Sequence, residues 1–397
     1  MKILFVSLNF VPASGSPAEL RYLTAILAKR GHEVTVYTTN TKNLREKLFP
    51  TTTVEDIDGV EVHYFDRRCR VRRFFYTPEM FEALRKNVAE FDVVHLYGFR
   101  SAQTTAGALA AYRAGVPYVY NGRAALTYSQ GNWLFKRAFD RVLGQKLLRR
   151  AARLLAFNTV ERNQYLSLGM PSEKIEMIPL GANPEAFENL PERGAMRARW
   201  NVGSDRKVAL FLGRFNRIKG LDMLIPALAE ARRQRPDLHL WLAGADSGVA
   251  GQIERQIAQL GLGPHVNWLG FLQGREKLEA LVDCDFLVLS SRYDLFPNVL
   301  AEAWGCGKPV VITEGCGVAD VVRDEQLGLV TPFDSQRFGR AMVELADDPA
   351  LAAQIGQRGR DYVQNEINSW RIAERHEALY ESILNHAGAR SVSGAST

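Results

Sequence analysis

The chain has 397 residues, 46% hydrophobic and 24% charged, with a net charge of +6. That length and balance allow two or three globular domains with sizeable cores and exclude a disordered or collagen-like chain. Cys69, Cys284, Cys306 and Cys316 have no C-x2-C spacing, which argues against a zinc site or a disulfide framework; MKILFVSLNF turns polar too soon for a signal peptide, and no run of about 18 apolar residues offers a membrane span, so a cytoplasmic location is expected.

From the N-terminus, apolar runs alternate with helical patterns. Strands are expected at Lys2–Ser7, Glu33–Thr38, Val60–Phe65, Asp92–Leu96, Tyr118–Tyr120, Leu154–Phe157 and Ile175–Ile178. Helical periodicity lies between most of them, at Ala18–Arg30, Glu79–Ala89, Ser101–Ala114, Trp133–Ala151 and Thr159–Leu168. Repeated strand–helix–strand units imply a parallel sheet covered on both faces. The pattern restarts with strands at Val208–Leu212, His239–Ala243, Val266–Leu269, Asp285–Leu289 and Val310–Thr313. Helices follow at Leu221–Arg235, Val249–Leu260, Arg275–Val282 and Pro297–Gly305. The Pro/Glu/Arg/Gly-rich stretch Asn183–Ser204 reads as a linker. The expectation is α/β: two Rossmann-like, doubly wound parallel-sheet domains, 1–186 and 187–368, facing each other across a cleft. A last helix, 369–390, is expected to cross back to the first domain, before a disordered tail, 391–397.

Charge is unevenly spread. Arg67–Arg73 is basic, and Lys136–Arg153 interleaves Lys136, Arg137, Arg141, Lys146, Arg149, Arg150 and Arg153 with apolar residues at helical spacing. Such a helix can rest on anionic lipid, or it can be a plain surface helix with one face in the core. No aromatic-rich basic stripe, zinc finger or RNA-binding signature points to nucleic acid.

The densest signal is Ser290–Pro309 (SSRYDLFPNVLAEAWGCGKP). An apolar run ends there, Asp294 sits on a loop, Pro297 suits a first helical turn, and Glu302 lies inside the helix. A helix start offers free N–H groups and a positive dipole end to an anion, while two carboxylates can grip hydroxyls on either side. This reads as a nucleotide-sugar clamp, although two acids with seven residues between them are weak evidence alone. The second signal is VALFLGRFNRIKG, where Gly213, Arg214 and Lys219 follow a strand. A guanidinium fork and an ammonium there suit a diphosphate, and stabilise it most as a leaving group gathers charge. Gly244 and Gly270-Phe271 close later strands and would let backbone meet a nucleobase, though ordinary turns read the same way. In the first half, Gly15 and Ser16 lie on a strand-to-helix turn with no G-x-G-x-x-G, and His95 is placed near a strand's carboxyl end. Asp56-Ile57-Asp58 and Asp283-Cys284-Asp285 read as structural, and no metal site is expected.

Taken together, LAKRGHEVTVYTT, DVVHLYG, IEMIPLGAN, FLGRFNRIKG, LWLAG, FLVLSSRYDLFPNVLAEAWGCGKPVV and DSQRFGRAMVELADDPAL resemble the GT-B glycosyltransferases, specifically family 4, the retaining group 1 type. The resemblance implies that Arg214 and Lys219 bind the donor diphosphate, that Glu302 is the second acid of an E-x7-E and holds the ribose, and that Asp294 contacts the transferred sugar. It implies that Leu295 and Phe296 offer loop N–H groups to sugar hydroxyls, that Val299 and Leu300 face phosphate, and that Gly270 and Phe271 meet the base. The chain departs from the family at Asp294 (usually Glu), at Gly15-Ser16-Pro17 (often Gly-Gly), at Tyr97 (the second His of an H-x-H) and at Asn121-Gly122-Arg123 (often His). Asn121 cannot take a proton as His can, while Arg123 can add positive charge. Gly15, Ser16, His95, Tyr97, Asn121 and Arg123 are therefore the expected acceptor side of the cleft.

The implied activity is sugar transfer from a nucleoside-diphosphate sugar to a saccharide or lipid-linked acceptor hydroxyl, without a cofactor and without an essential metal, in surface-glycan synthesis. The expected place is the cytoplasm, with peripheral contact at the inner face of the membrane. A GT-B epimerase or phosphorylase is the alternative enzyme; a non-catalytic nucleotide-sugar binding module is the alternative from another class.

Overall fold

The computed structural model describes residues 1–10, 18–41, 46–71, 74–123, 125–126 and 133–393. It divides into two compact units, Met1–Gly181 with Ser369–Thr397, and Ala182–Asn368. Gly15, Ser16, part of the Arg123–Trp133 loop and two residues of the Arg67–Arg73 stretch lie outside the described residues.

The first unit is built on β1 (Lys2–Ser7), β2 (Glu33–Thr39), β3 (Thr53–Ile57), β4 (Val60–Phe65), a separate hairpin of β5 (Cys69–Val71) and β6 (Phe74–Tyr76), then β7 (Val93–Tyr97), β8 (Tyr118–Asn121), β9 (Arg153–Ala156) and β10 (Ile175–Met177). The main sheet runs β10-β9-β8-β7-β1-β2-β4-β3, parallel throughout except for β3 against β4. Alternate residues of each apolar strand feed different cores: Leu4, Val6, Val94 and Leu96 pack on one face, and Ile3, Phe5, Val93 and Tyr97 on the other. Burial on both faces is why the strands read as unbroken apolar runs.

The Ser369–Ser393 helix belongs to this unit and lays Ile372, Ala373, Leu379, Tyr380 and Ile383 on the second of those faces. It continues three residues into the segment expected to be disordered; residues 394–397 lie outside the described residues. This helix also corrects the placement of His95. The strand extends to Tyr97, so His95 is mid-strand and fully buried, stacked on Phe5 at 4.8 Å, with Nδ1 2.7 Å from the Tyr380 hydroxyl. It cannot line an open acceptor site.

The second unit holds β11 (Lys207–Leu212), β12 (Leu238–Ala243), β13 (Val266–Gly270), β14 (Phe286–Leu289), β15 (Val310–Thr313) and β16 (Gly328–Thr331). All pairs are parallel, in the order β13-β12-β11-β14-β15-β16. Val208, Leu210 and Leu212 face one core, Ala209 and Phe211 the other. Asn183–Ser204 is not a tether: all of it lies in this unit, where Met196 is fully buried and Phe187, Leu190 and Trp200 pack on the core. Asp283 holds this stretch, its carboxylate accepting the N–H groups of Gly194, Met196 and Arg197 at 2.5, 2.7 and 3.0 Å. Asp285 pairs with Arg193 and Arg197, both at 2.8 Å.

Strand order reverses between β11 and β14, the kind of switch point at which open parallel sheets bind ligands. Two loops meet there. Ser290 Oγ donates to the Lys219 carbonyl at 2.9 Å, and the Arg292 N–H to the Ile218 carbonyl at 2.7 Å. Their approach depends on Gly220, at φ +68°, where a Cβ would stand 1.9 Å from the Ser290 carbonyl oxygen. The Gly220→Ala variant is expected to lose at least about 1–2 kcal/mol from the left-handed backbone alone. An unchanged urea midpoint would show that these loops tolerate separation.

Burial pushes the His376 imidazole down to about 4, and lowers His95 beside it well below its usual range. The unfolded chain takes up these protons near pH 6.5, whereas the fold resists them. Stability is therefore full above pH 6.5 and falls as pH drops toward 4, by an amount on the order of 3 kcal/mol for His376. The slope of unfolding free energy between pH 6.5 and 4.5 should flatten in His376→Gln; equal slopes would refute this.

Candidate functional site

The second unit's site begins where β11, β12 and β13 end side by side. The Gly213 N–H donates to the Ala243 carbonyl at 2.9 Å, and the Gly244 N–H to the Gly270 carbonyl at 2.7 Å. A Cβ on Gly244, at φ +149°, would stand 1.9 Å from the Gly213 oxygen, so only glycine lets these strand ends step past each other. Gly270 is also left-handed, at φ +73°, with open space where a Cβ would be. Phe271, next to it, is 66% exposed. Three glycines and an aromatic face thus converge at one rim of the sheet, leaving backbone accessible to a flat ligand.

The cations lie beside that rim. Arg214 is exposed, and no acid pairs with it among the described residues. Lys219 closes a short 3-10 turn, Arg217–Lys219, fixed by Asn216, whose side chain accepts the Lys219 N–H at 3.1 Å. Its ammonium forms an ion pair with Asp294, and both side chains are more than four-fifths buried. The switch point therefore brings together two residues 75 positions apart that sequence reasoning singled out separately. Asp294 is held by its own backbone, its N–H donating to Gly315 at 3.0 Å and its carbonyl accepting from Gly317 at 2.6 Å.

The helix after this loop spans Asn298–Gly305, with Pro297 just outside it as the N-cap residue. Leu300, Ala301, Ala303 and Trp304 are buried, which leaves Asn298, Val299 and Glu302 along the open stripe, as spacings of three and four require. The Leu295 and Leu300 side chains are buried, and Phe296 and Val299 are packed on the core, so any contact these residues make with a polar ligand falls to their backbone. The Leu300 N–H departs from expectation: it already donates to the Pro297 carbonyl at 3.0 Å, because the first turn closes tightly. Glu302 receives a hydrogen bond of 2.7 Å from Lys277, on the Gly274–Asp283 helix. Lys277 escaped sequence reasoning, since its partner lies 25 residues away and nothing local marks the pair.

In the first unit, Tyr97, Asn121 and Arg123 do come together, at the ends of β7 and β8. Arg123 adopts a left-handed backbone, φ +46°, and its guanidinium lies 4.8 Å above the Tyr97 ring. Asn121 Oδ1 accepts the Arg123 N–H at 3.1 Å, while its buried Nδ2 has no partner among the described residues. The residue that organises the group is Glu19, in the first turn of the Ala18–Lys29 helix. Its Oε1 accepts from the Tyr97 hydroxyl at 3.1 Å and from Arg123. Burial raises the Tyr97 phenol well above its usual range, so Tyr97 keeps its proton. An acid in the first turn after a Gly-containing loop was the one available signal for Glu19. Among the described residues no three His, Cys, Asp or Glu side chains are gathered as metal ligands would be.

The arrangement in the second unit can hold an anion with two cations, hydroxyls with two carboxylates, and a planar group against glycine backbone. Residues 192–362 match the glycosyl transferases group 1 family, and residues 14–181 a glycosyl transferase 4-like domain. The chain is 28% identical over 384 residues to a D-inositol 3-phosphate glycosyltransferase of Kineococcus radiotolerans, covering 87% of this chain and 85% of that one. It is 30% identical over 238 residues to a GDP-mannose-dependent phosphatidylinositol monomannoside mannosyltransferase of Mycolicibacterium smegmatis, covering 58% and 61%. The Anabaena protein HepE, solved in complex with UDP, superposes with a TM-score of 0.76 at 22% identity, over 96% of this chain and 100% of that one. The two matched segments, the curated relatives and the shared fold place the chain in the GT-B glycosyltransferases of family 4, group 1 type.

Proposed function

We propose that this enzyme moves a sugar from a nucleoside-diphosphate sugar, held by the second unit, to a hydroxyl of a saccharide or lipid-linked acceptor, with retention of anomeric configuration. The observation that carries the reading is the meeting of Lys219 and Asp294 beside Arg214, where strand order reverses. A donor's diphosphate takes the cations, its transferred sugar takes Asp294, and its ribose takes Glu302. HepE, solved with UDP and with UDP-glucose, supports a nucleotide-sugar donor.

In this proposal the acceptor hydroxyl gives its proton to the departing phosphate oxygen as it attacks the anomeric carbon from the same face. Arg214 and Lys219 stabilise the charge gathered on that phosphate, and a metal is not essential to the step. Replacing either by Ala should lower kcat/KM at least about 100-fold while the urea midpoint stays near wild type. Near-normal release of nucleoside diphosphate from both variants would sink the assignment.

The enzyme works at the cytosolic face of a membrane, building a surface glycan. Support comes from the 133–150 segment, where Trp133, Leu134, Phe135 and Val142 are exposed by 49, 61, 45 and 70% amid Arg137, Arg141 and Lys146. Apolar side chains ringed by cations fit an anionic bilayer surface. The segment is not one regular helix: it has a wide turn at Asp140–Gly144, where Arg100 pairs with buried Asp140 at 2.5 Å. No helix of the described residues is long and apolar enough to cross the membrane. Binding to vesicles containing phosphatidylglycerol should fall at least about tenfold in the Leu134→Glu/Val142→Glu double variant. Equal sedimentation of variant and wild type would remove this part of the reading.

A further inference from the structure

Glu302 is the most accessible acid of the proposed donor site, and its surroundings are asymmetric. Oε1 receives the Lys277 ammonium at 2.7 Å, while no second partner engages the carboxylate among the described residues. Both side chains are about three-quarters buried, Lys277 at 28% and Glu302 at 26% exposure. Other cations nearby are committed elsewhere. Lys308 donates to the Val282 and Cys284 carbonyls at 2.7 and 2.8 Å, and Arg360 to the Cys306 carbonyl at 3.3 Å. Cys306, one turn after Glu302, is kept a neutral thiol by burial, which pushes it up to about 12.

Lys277 is equally committed. Its own helix carries no carboxylate three or four residues away from it on either side. The acids flanking it, Glu276 and Glu279, belong to Arg199 and Arg275. Lys277 therefore reaches off its helix to Glu302. The ammonium on Oε1 restrains the rotation of the carboxylate and leaves Oε2 without a partner among the described residues. A carboxylate presented in this way suits the paired hydroxyls of a ribose.

We infer that Lys277 is a positioning residue for nucleotide recognition: its ammonium sets the Glu302 carboxylate in the orientation that takes the ribose 2′- and 3′-hydroxyls. The inference rests on the reading of Glu302 as the ribose anchor. It differs from that of an ordinary exposed ion pair, which would contribute little and would not discriminate between ligands.

The test is calorimetric binding of UDP, GDP and ADP, and of the 2′,3′-dideoxy analogue of whichever the wild type binds best, to wild type and to Lys277→Met, Lys277→Arg and Glu302→Gln. Lys277→Met should weaken the ribonucleotide about tenfold, leave the dideoxy analogue within about twofold, and raise the donor KM with little change in kcat. Lys277→Arg should recover most of the loss. Met suits a helix position, and a urea midpoint near wild type confirms folding. Equal weakening of both nucleotides by Lys277→Met would mean mere loosening and would overturn the inference. Loss in Glu302→Gln but not in Lys277→Met would overturn the inference alone. Wild-type affinity in Glu302→Gln, or no binding of any nucleotide by the wild type, would overturn the ribose reading beneath it.

Discussion

The carbonyl of Ser290 presses against the backbone of Gly220, and no side chain could stand between them. That contact is made by the loops after β11 and β14, the two strands between which the order of the sheet reverses. Because these loops touch, Lys219 and Asp294 meet, and because Asp294 is bridged to the 315–317 turn, the meeting point is fixed relative to the sheet. The Asn298–Gly305 helix starts directly from this loop, so the direction of its open face, and with it the placement of Glu302, follows from the same contact. The chemistry assigned to the second unit is thus spaced by one close backbone approach.

The units use the same construction for different ends. Each has a parallel sheet whose strands send alternate residues into two cores, and each gathers polar groups at strand carboxyl ends. In the second unit these groups are two cations, two carboxylates and stepped glycines. In the first they form a closed set, with Glu19 tying Arg123 to Tyr97. The first set is tied together by hydrogen bonds to Glu19 Oε1.

Much of this was legible in the sequence, for physical reasons. Strands buried on both faces leave apolar runs such as LFVS and FLVL, and these were found within a residue or two. Of the four edge strands of these two sheets, β10 and β13 were found and β3 and β16 were not: β3 reads TVEDI and is half exposed along its length, and β16 opens on Gly328. Single candidate residues stood out where a glycine turn or helix start flagged them, as at Gly213, Lys219 and Asp294. Their partners were not. Lys277 reaches Glu302, and Glu19 reaches Arg123 across 104 positions, through pairings that only the folded chain creates. His95 shows the converse. It sits in a recognisable strand, but the helix that buries it brings Tyr380 from 285 residues further on.

The ion pair between Lys219 and Asp294 has one more consequence. A built-in counterion makes recognition an exchange and not a simple capture. Inorganic phosphate or a bare diphosphate that takes Lys219 strands Asp294 as a partly buried anion with nothing to bond. In the proposed function, a nucleotide sugar compensates both halves at once, giving its phosphate to the lysine and sugar hydroxyls to the aspartate. On the proposed reading, the pair then acts as a gatekeeper against product and buffer anions, favouring the intact donor over the nucleoside diphosphate it becomes.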